Sequence, residues 1–332
     1  MPATITAISR YLPPDIYDNS YFESYLDTSD AWITSRTGIK ERRFLKEGAT
    51  SDLIVPAAKK LFEDYNIDPS EIDTIIVASV TPDHMFPSTA AVVQDKLGLK
   101  NVWGFDISSA CSGFLFSLKT AASLVESGTS KKLLLCGADK MSSIMDFNDR
   151  ATAVLFGDGA GVCLIEMSDD PEMGILDHIL QIDGDGGKYL KQIAGGSFKP
   201  ASHETVDKKE HYIFQDGATV FKAAVKGMAD VSVEIMKRNN LTHDDISYLV
   251  PHQANMRIIT ATAERMGLDP EKVMINIQKY GNTTAATIPI CLSEWYEAGK
   301  IKKGDYLVLS GFGAGFTWGS ILLRWNMNKR GR

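Results

Sequence analysis

The feature that most constrains the fold of this chain is an internal duplication. Residues 102–128, VWGFDISSACSGFLFSLKTAASLVESG, align without a gap with residues 273–299, VMINIQKYGNTTAATIPICLSEWYEAG. Both segments have the pattern of a strand, a turn, a helix and a closing glycine, and each is followed by a basic turn and another apolar strand. A repeat period of about 170 residues is too long for a solenoid of short units. We therefore predict two similar α/β halves, over residues 1–170 and 171–332.

Apolar, β-branched runs alternate with helix-period stretches along both halves. Residues 72–80 and 131–137 are typical of buried strands, and residues 111–128 of a helix that is apolar on most faces. This alternation predicts parallel sheets covered by helices. The duplication also suggests that GDGAG at 157–161 is the counterpart of GFGAG at 311–315.

The bulk composition excludes several classes of protein. With 332 residues, 44% of them hydrophobic, the chain is long enough to bury a large core. It has no run of eighteen apolar residues and no signal-like start, so we expect neither a membrane span nor secretion. Its four cysteines are scattered and its histidines share no ligand spacing, which predicts reduced thiols in a cytoplasm and no metal site. A net charge of −7 disfavours nucleic acid as a partner.

Two long insertions interrupt the repeat. The first half has about twenty residues between Gly137 and Gly157 where the second half continues directly, and residues 184–214 form a polar, glycine-rich stretch. Insertions of this length on a compact sheet usually cover a functional site. For residues 195–210 a mobile surface loop is an equally good interpretation.

Cys111 is the first candidate for chemistry. It follows DISSA and opens the buried helix, beside the small residues Ser112 and Gly113. The first N–H groups of a helix lack internal partners and carry partial positive charge, which favours a thiolate. A buried cysteine is also a common core residue, so spacing alone supports nucleophile and structural residue equally.

His252 and Asn282 are further candidates. Pro251 ends a strand before His252, and Asn282 lies where the duplication aligns it with Cys111. Ligands of open α/β sheets bind at the carboxyl ends of strands, where these three residues are expected to meet. A lone histidine or asparagine in a loop is more often a turn or capping residue, and the duplication is what favours a shared site.

Six stretches of the sequence together resemble the β-ketoacyl-acyl-carrier-protein synthase III family, the initiating condensing enzymes of bacterial fatty acid synthesis within the thiolase superfamily. They are DTSDAWITSRTGIKERR (27–43), DISSACSGF (106–114), RATAVLFGDGAG (150–161), PHQANMRI (251–258), YGNTTAATIP (280–289) and GFGAGFTWGS (311–320). A Cys–His–Asn set is what distinguishes this branch from elongating synthases and thiolases. The resemblance implies an α/β, thiolase-like fold, an internally duplicated five-layered αβαβα sandwich.

The same resemblance implies an acyltransferase that needs no cofactor beyond its CoA thioester substrate. An acyl-CoA primer would acylate Cys111, and malonyl-acyl carrier protein would then lose CO2 and be condensed to 3-oxoacyl-acyl carrier protein. His252 and Asn282 would stabilise the enolate, and the backbone N–H groups of Cys111 and Ala314 the second oxyanion.

Other positions take their implied roles from the resemblance as well. The residues that would contact CoA are Thr28, Trp32, Arg36, Arg150, Phe221 and Asn255. Phe86 would close the acyl pocket of the partner subunit in a homodimer. The acyl carrier protein would dock on Lys222, Lys226, Arg257 and Arg265, although Glu264 stands where another basic residue often occurs.

Two other functions remain open at this point. One is a related enzyme that primes a polyketide, quinolone or long-chain ketone pathway, since acyl and acceptor choice depends on pocket volume. The other is an inactive scaffold subunit, which is disfavoured because Cys111, His252 and Asn282 are all present. Acyl chain length is not predictable from these residues.

Overall fold

The computed structural model describes residues 1–328, so the last four residues of the predicted second half lie outside the described range. The strands are β1 (Ala3–Tyr11), β2 (Ile16–Asp18), β3 (Glu41–Arg43), β4 (Thr74–Ala78), β5 (Trp103–Ile107), β6 (Leu133–Lys140), β7 (Asp158–Met167), β8 (Gly174–Ile182), β9 (Leu190–Gln192), β10 (Ile213–Gln215), β11 (Tyr248–Pro251), β12 (Tyr306–Gly313) and β13 (Thr317–Arg324). The α-helices are α1 (Asn19–Glu23), α2 (Asp30–Thr37), α3 (Thr50–Tyr65), α4 (Thr89–Leu97), α5 (Gly113–Glu126), α6 (His203–Asp207), α7 (Gly217–Arg238), α8 (Met256–Met266), α9 (Ile277–Tyr280) and α10 (Thr287–Glu297).

Two sheets repeat the same strand order. The first runs β1-β7-β6-β4-β5, and the second, in the corresponding direction, runs β8-β13-β12-β11. In each sheet the first two pairs in this order are antiparallel, and every pair after them is parallel. A single parallel bridge from Leu249 to Val273 stands where the first sheet has β5. The duplication seen in the sequence is therefore present in the topology.

The helices form three layers around these sheets. Helices α5 and α10 lie between the sheets, α3 and α4 cover the first sheet, and α7 covers the second together with α8, which packs against α7. Because α5 contacts strands of both sheets, it has no exposed residue between Gly113 and Ala122. An apolar sequence on all faces is what such a central helix requires. The predicted five-layered αβαβα sandwich is confirmed.

Helix α8 begins at Met256, because the Asn255 side chain caps it by accepting the Arg257 N–H at 2.9 Å. Two local expectations are wrong in detail. Cys111 lies in a 3-10 turn, Ala110–Ser112, directly before α5. The two glycine motifs are not structural counterparts, since GDGAG begins β7 whereas GFGAG ends β12 and turns into β13.

The two insertions meet each other over one end of the sheets. Residues 141–157 connect β6 to β7, and the second insertion carries the β9–β10 hairpin and α6. The Ile213 N–H donates to the Ile144 carbonyl at 2.8 Å, and Lys209 pairs with Asp146 at 2.8 Å. The predicted division at residue 170 falls between β7 and β8 and stays a prediction.

Candidate active site

Cys111 is held at the end of the first sheet by close backbone packing. Cys111 follows β5 in the turn before α5, and 9% of its surface is exposed. Gly313, the last residue of β12, approaches so closely that a Cβ built there would lie 2.7 Å from the Cys111 nitrogen. Only a residue without a side chain fits this contact. The end of the second sheet therefore determines where the Cys111 turn sits.

Asn282 is oriented by its own turn. Its side-chain Oδ1 accepts the Thr284 N–H at 2.9 Å, so the amide nitrogen is the end left to act as a donor. That side chain is hydrogen-bonded to the Cys111 thiol, and this bond by itself acts to lower the pKa of the thiol. The backbone of Asn282 is also bound, since its N–H donates to Leu155 at 2.9 Å and its carbonyl accepts the Gly157 N–H at 3.0 Å. The first insertion thus supports the asparagine.

His252 follows β11 directly and is almost completely buried. Its backbone N–H donates to the Ser310 carbonyl at 2.7 Å, which continues the pairing of β11 with β12. Its Nδ1 lies 2.6 Å from the Thr287 hydroxyl oxygen, and its Nε2 has no partner among residues 1–328. Burial lowers the pKa of His252 to about 3, so the ring is neutral at physiological pH.

The protonation state of Cys111 differs from the sequence expectation. Burial, and then the negative charge of Asp139, raise the pKa of the thiol to about 12, and the hydrogen bonds from Asn282 and from the Cys111 backbone N–H oppose this shift. The favourable helix start does not outweigh the loss of water. Cys111 is therefore a thiol before substrate arrives, and not the preformed thiolate that its position suggested.

Asp139 is a buried carboxylate behind the site that the sequence reasoning missed. Its Oδ1 accepts hydrogen bonds from Ser79, Val80 and Thr81, and its Oδ2 accepts the Ala285 N–H at 3.1 Å. Burial raises its pKa to about 6, and these hydrogen bonds act in the opposite direction. Asp139 joins the ends of β4 and β6 to the turn that carries Asn282.

One cavity of about 340 Å³ brings the candidate residues together. Cys111, His252, Asn282 and Ala314 all line it, and Phe221 and Asn255 line it as well. The rest of the wall is mainly apolar and comes largely from the two insertions, through Met141, Ile144, Ala151, Leu155, Phe156, Leu190, Lys191, Gln192 and Ile213. A partly open, mainly apolar space around one thiol, one neutral imidazole and one amide suits acyl transfer.

The comparisons with known proteins identify the family of the chain. Two family profiles match the chain, 3-oxoacyl-(acyl-carrier-protein) synthase III over residues 105–184 and its C-terminal part over residues 236–325. A curated β-ketoacyl-(acyl-carrier-protein) synthase III from Chlorobium chlorochromatii is 58% identical over 328 residues, which are 98% of this chain and 100% of the relative. The chain belongs to the β-ketoacyl-acyl-carrier-protein synthase III family. It is an acyltransferase, an initiating condensing enzyme of fatty acid synthesis.

Solved structures of synthase III enzymes support the same assignment. The enzyme from Aquifex aeolicus superposes with a TM-score of 0.89 at 42% identity, over 97% of this chain and 100% of that one. The priming β-ketosynthase of the R1128 polyketide pathway also has a TM-score of 0.89, over 98% of this chain and 96% of that one, but is only 31% identical. Fold alone therefore does not separate the two functions, whereas sequence identity favours the fatty acid synthase III.

Three residues that the resemblance linked to CoA, Trp32, Arg36 and Arg150, form a cluster at the surface, outside the cavity lining. The guanidinium carbons of Arg36 and Arg150 lie 4.9 Å and 5.0 Å from the centre of the Trp32 ring. Arg150 also donates to the Asp27 carbonyl at 2.7 Å. The Thr28 hydroxyl is buried without a partner among residues 1–328. This cluster is an aromatic face with two cations beside it, a suitable surface for an adenine nucleotide.

Asn255 connects this surface cluster with the cavity. Its Nδ2 donates to the Arg36 carbonyl at 3.0 Å, and the residue lines the cavity. Phe221, on α7, lines the cavity too and carries the Arg257 guanidinium carbon 4.7 Å from its ring centre. The surface cluster around Trp32, the cavity and the start of α8 are therefore adjacent.

The remaining predicted residues lie on the outer surface. Phe86 is 87% exposed and does not line the cavity of its own chain. Lys222, Lys226, Arg257 and Arg265 are exposed on α7 and α8, and Arg265 pairs with Asp230 at 3.6 Å. Lys222, Lys226 and Arg257 form no ion pair within residues 1–328. Nor does that part of the chain contain a His, Cys, Asp or Glu group able to hold a metal, or a helix long and apolar enough to cross a bilayer.

Proposed function

We propose that this synthase III condenses a short acyl-CoA with malonyl-acyl carrier protein through an acyl-Cys111 intermediate. The observation that carries the proposal is the convergence of Cys111, His252 and Asn282 on one largely apolar cavity. The division of the chain into two thiolase-like halves at residue 170 belongs to the same proposal, since the nucleophile comes from one half and the two donors from the other.

The first step transfers the acyl group from CoA to Cys111. The Cys111 sulfur attacks the thioester carbonyl, the carbonyl–sulfur bond to CoA breaks, and the proton of the thiol ends on the CoA sulfur. Since the pKa of the free thiol is raised to about 12, the proton leaves as the thioester reacts and not beforehand. The backbone N–H groups of Cys111 and Ala314 hold the oxyanion of the tetrahedral intermediate.

The second step forms the carbon–carbon bond. Malonyl-acyl carrier protein loses CO2, and the electron pair of the broken bond passes to the thioester oxygen as an enolate. His252, through Nε2–H, and Asn282, through its amide NH2, donate hydrogen bonds to that oxygen. The enolate carbon attacks the acyl-Cys111 carbonyl, the Cys111 sulfur leaves, and one proton is taken up to restore the thiol. A neutral imidazole is suited to this donor role, because burial keeps the ring uncharged.

The surface cluster supports CoA as the carrier of the primer. We assign the adenine to the Trp32 face and the phosphates to Arg36 and Arg150, with Thr28 adding a hydrogen bond. Asn255 and Phe221 then line the path of the pantetheine chain toward Cys111. The reaction needs no further cofactor, since both substrates are already activated as thioesters.

The assembly and the acceptor complete the proposal. Exposed Phe86 fits a homodimer in which it closes the acyl pocket of the partner subunit. The exposed cations Lys222, Lys226, Arg257 and Arg265 suit an acidic acyl carrier protein, and Arg257 lies against Phe221 of the cavity wall. The four cysteines are free thiols, in keeping with a cytoplasmic enzyme.

The direct test is labelling of the enzyme with radioactive acetyl-CoA. Wild type should retain label as an acyl-enzyme, and Cys111→Ala should retain none, whereas equal labelling of the variant contradicts the nucleophile assignment. A panel of acyl-CoA chain lengths, offered malonyl-acyl carrier protein and malonyl-CoA in competition, then identifies the substrates. A clear preference for long primers over acetyl-CoA and other short acyl-CoAs would favour a priming enzyme of another pathway.

A further inference from the structure

The hydrogen bond behind His252 decides what the imidazole can do. Its Nδ1 and the Thr287 hydroxyl oxygen are 2.6 Å apart, and the two residues are 1% and 2% exposed. Since burial keeps the ring neutral, only one of its two nitrogens carries a proton. Nε2, which has no partner within residues 1–328, is the nitrogen free to meet substrate. Thr287 therefore sits where the choice of tautomer is made.

The Thr287 hydroxyl has two neighbours that can accept its single proton. One is His252 Nδ1 at 2.6 Å, and the other is the Thr284 carbonyl at 3.1 Å. The Thr284 carbonyl already accepts the backbone N–H of Thr287. With the opposite tautomer, Nδ1–H would donate to the hydroxyl oxygen, and the hydroxyl hydrogen would go to that carbonyl. The 2.6 Å separation is shorter than the roughly 2.7–3.2 Å of an ordinary N–H donor and lies within the range of an O–H donor. The short contact and the occupied carbonyl therefore both favour donation by the hydroxyl to Nδ1.

We propose that Thr287 is a positioning residue that donates its hydroxyl hydrogen to His252 Nδ1 and thereby fixes the ring proton on Nε2. The inference rests on the proposed function, because a proton on Nε2 is what makes His252 a hydrogen-bond donor to the malonyl enolate. With the opposite tautomer, Nε2 would present a lone pair to an oxygen that is becoming negative, which is repulsive.

The same turn orients the second donor of the site. The Thr284 N–H donates to Asn282 Oδ1. Three residues later, the hydroxyl of Thr287, the first residue of α10, contacts His252 Nδ1. The turn itself is anchored from behind, where Asp139 accepts the Ala285 N–H at 3.1 Å. The start of α10 thus sets the donor direction of both the amide and the imidazole before substrate binds.

The tautomer can be measured without any reaction. In enzyme labelled with ¹⁵N-histidine, two-bond ¹H–¹⁵N correlation spectra distinguish an Nε2–H ring from an Nδ1–H ring, and the signal of His252 is the one absent from a His252→Asn spectrum. We expect Nε2–H in wild type and in Thr287→Ser, and loss of that fixed pattern in Thr287→Val. An Nδ1–H pattern in wild type overturns the proposal.

Kinetics give a second readout with a matched control. Thr287→Val should slow malonyl decarboxylation and condensation by about 10²-fold, the usual cost of one oxyanion donor, and leave acylation of Cys111 by labelled acetyl-CoA within about threefold. Thr287→Ser should restore condensation. Thr262→Val is the control, since that hydroxyl is equally buried but bonded only to the Ile258 carbonyl in α8.

The outcomes separate this inference from the function beneath it. Normal condensation in Thr287→Val overturns the role of Thr287 even if Cys111 is acylated as proposed. Equal loss in Thr287→Val and Thr262→Val means a general packing defect and also overturns it. Absence of label on Cys111 in wild type contradicts the proposed function itself, whereas the ¹⁵N pattern of His252 would still stand as a property of the fold.

Discussion

A single methyl group at Gly313 is expected to disable the condensation while leaving the fold intact. Gly313→Ala adds a Cβ 2.7 Å from the Cys111 nitrogen and 3.0 Å from the Ser112 nitrogen. Both neighbours are backbone atoms, so no side chain can rotate away to relieve the contact. An ordinary contact begins at 3.4 Å, and the Cys111 turn must therefore move away from β12 by about 0.7 Å.

The displaced atoms are those that the reaction depends on. The Cys111 N–H is one of the two proposed oxyanion donors, and the sulfur proposed as the nucleophile belongs to the same residue. Loss of one such donor costs about 10²–10³ in rate, and a misplacement of about 1 Å costs about 10²-fold. We expect Gly313→Ala to lower kcat/KM for acetyl-CoA by about 10²-fold, in acylation as well as in condensation.

Two glycines provide graded controls for this prediction. A Cβ at Gly196 meets nothing within 4 Å, and a Cβ at Gly311 lies 3.3 Å from the tip of the flexible Leu115 side chain. The assay is single-turnover labelling by acetyl-CoA followed by condensation, with thermal unfolding measured alongside. The expected order of activity is wild type and Gly196→Ala, then Gly311→Ala, then Gly313→Ala. Activity of Gly313→Ala within threefold of wild type would refute the reasoning.

Three further predictions concern the chemistry of the site and its substrate. His252→Ala and Asn282→Ala should each slow CO2 release from malonyl-acyl carrier protein by about 10²-fold, measured with labelled malonyl groups, and should spare acylation of Cys111. Trp32→Ala should raise KM for acetyl-CoA about tenfold with little change in kcat, because it removes binding and not transition-state contacts, and an unchanged KM in initial-rate assays would contradict the CoA assignment. Alkylation of Cys111 by iodoacetamide should accelerate about tenfold per pH unit from pH 7 to 9, since its pKa is raised to about 12 and the thiolate fraction grows with pH below that value, whereas a plateau in this range would indicate a preformed thiolate.

The duplication made the global fold and the meeting of the candidate residues predictable. Cys111 and Asn282 occupy matching turns between a strand-like segment and a central helix, as the ungapped alignment indicated, and the family resemblance is confirmed by the comparisons. Short glycine motifs were less informative. Gly161 in GDGAG makes room for Pro289 of α10, whereas Gly313 in GFGAG makes room for Cys111, so similar letters satisfy different packing needs.

Properties that depend on distant neighbours could not be predicted. The pKa of Cys111 is a balance between burial, the charge of Asp139 and a hydrogen bond from Asn282, and these residues meet only in the folded chain. Thr287 lies within the 280–289 stretch, but nothing in the sequence distinguished it from its neighbours, since its proposed role comes from facing His252. A charged residue at the end of an apolar strand, as in LLLCGAD, is the one pattern that could have directed attention to Asp139.

Different parts of the second insertion, residues 184–214, match the two interpretations of its sequence. Its hairpin strands are tied to the first insertion, and Leu190, Lys191, Gln192 and Ile213 form part of the cavity wall. Its tip projects outward, with Phe198 98% exposed. The sequence predicted a cover over a site or a surface loop, and composition alone could not assign these parts of the segment.

Through the central layer of helices, the two halves of the chain pack against each other as the subunits of a dimer do. Helices α5 and α10 are packed between the sheets. A cut between β7 and β8 would therefore leave each fragment with an exposed apolar face and only part of the proposed catalytic set. We expect neither fragment to catalyse the proposed condensation alone. The activity recovered on mixing the two fragments would therefore measure how tightly they associate.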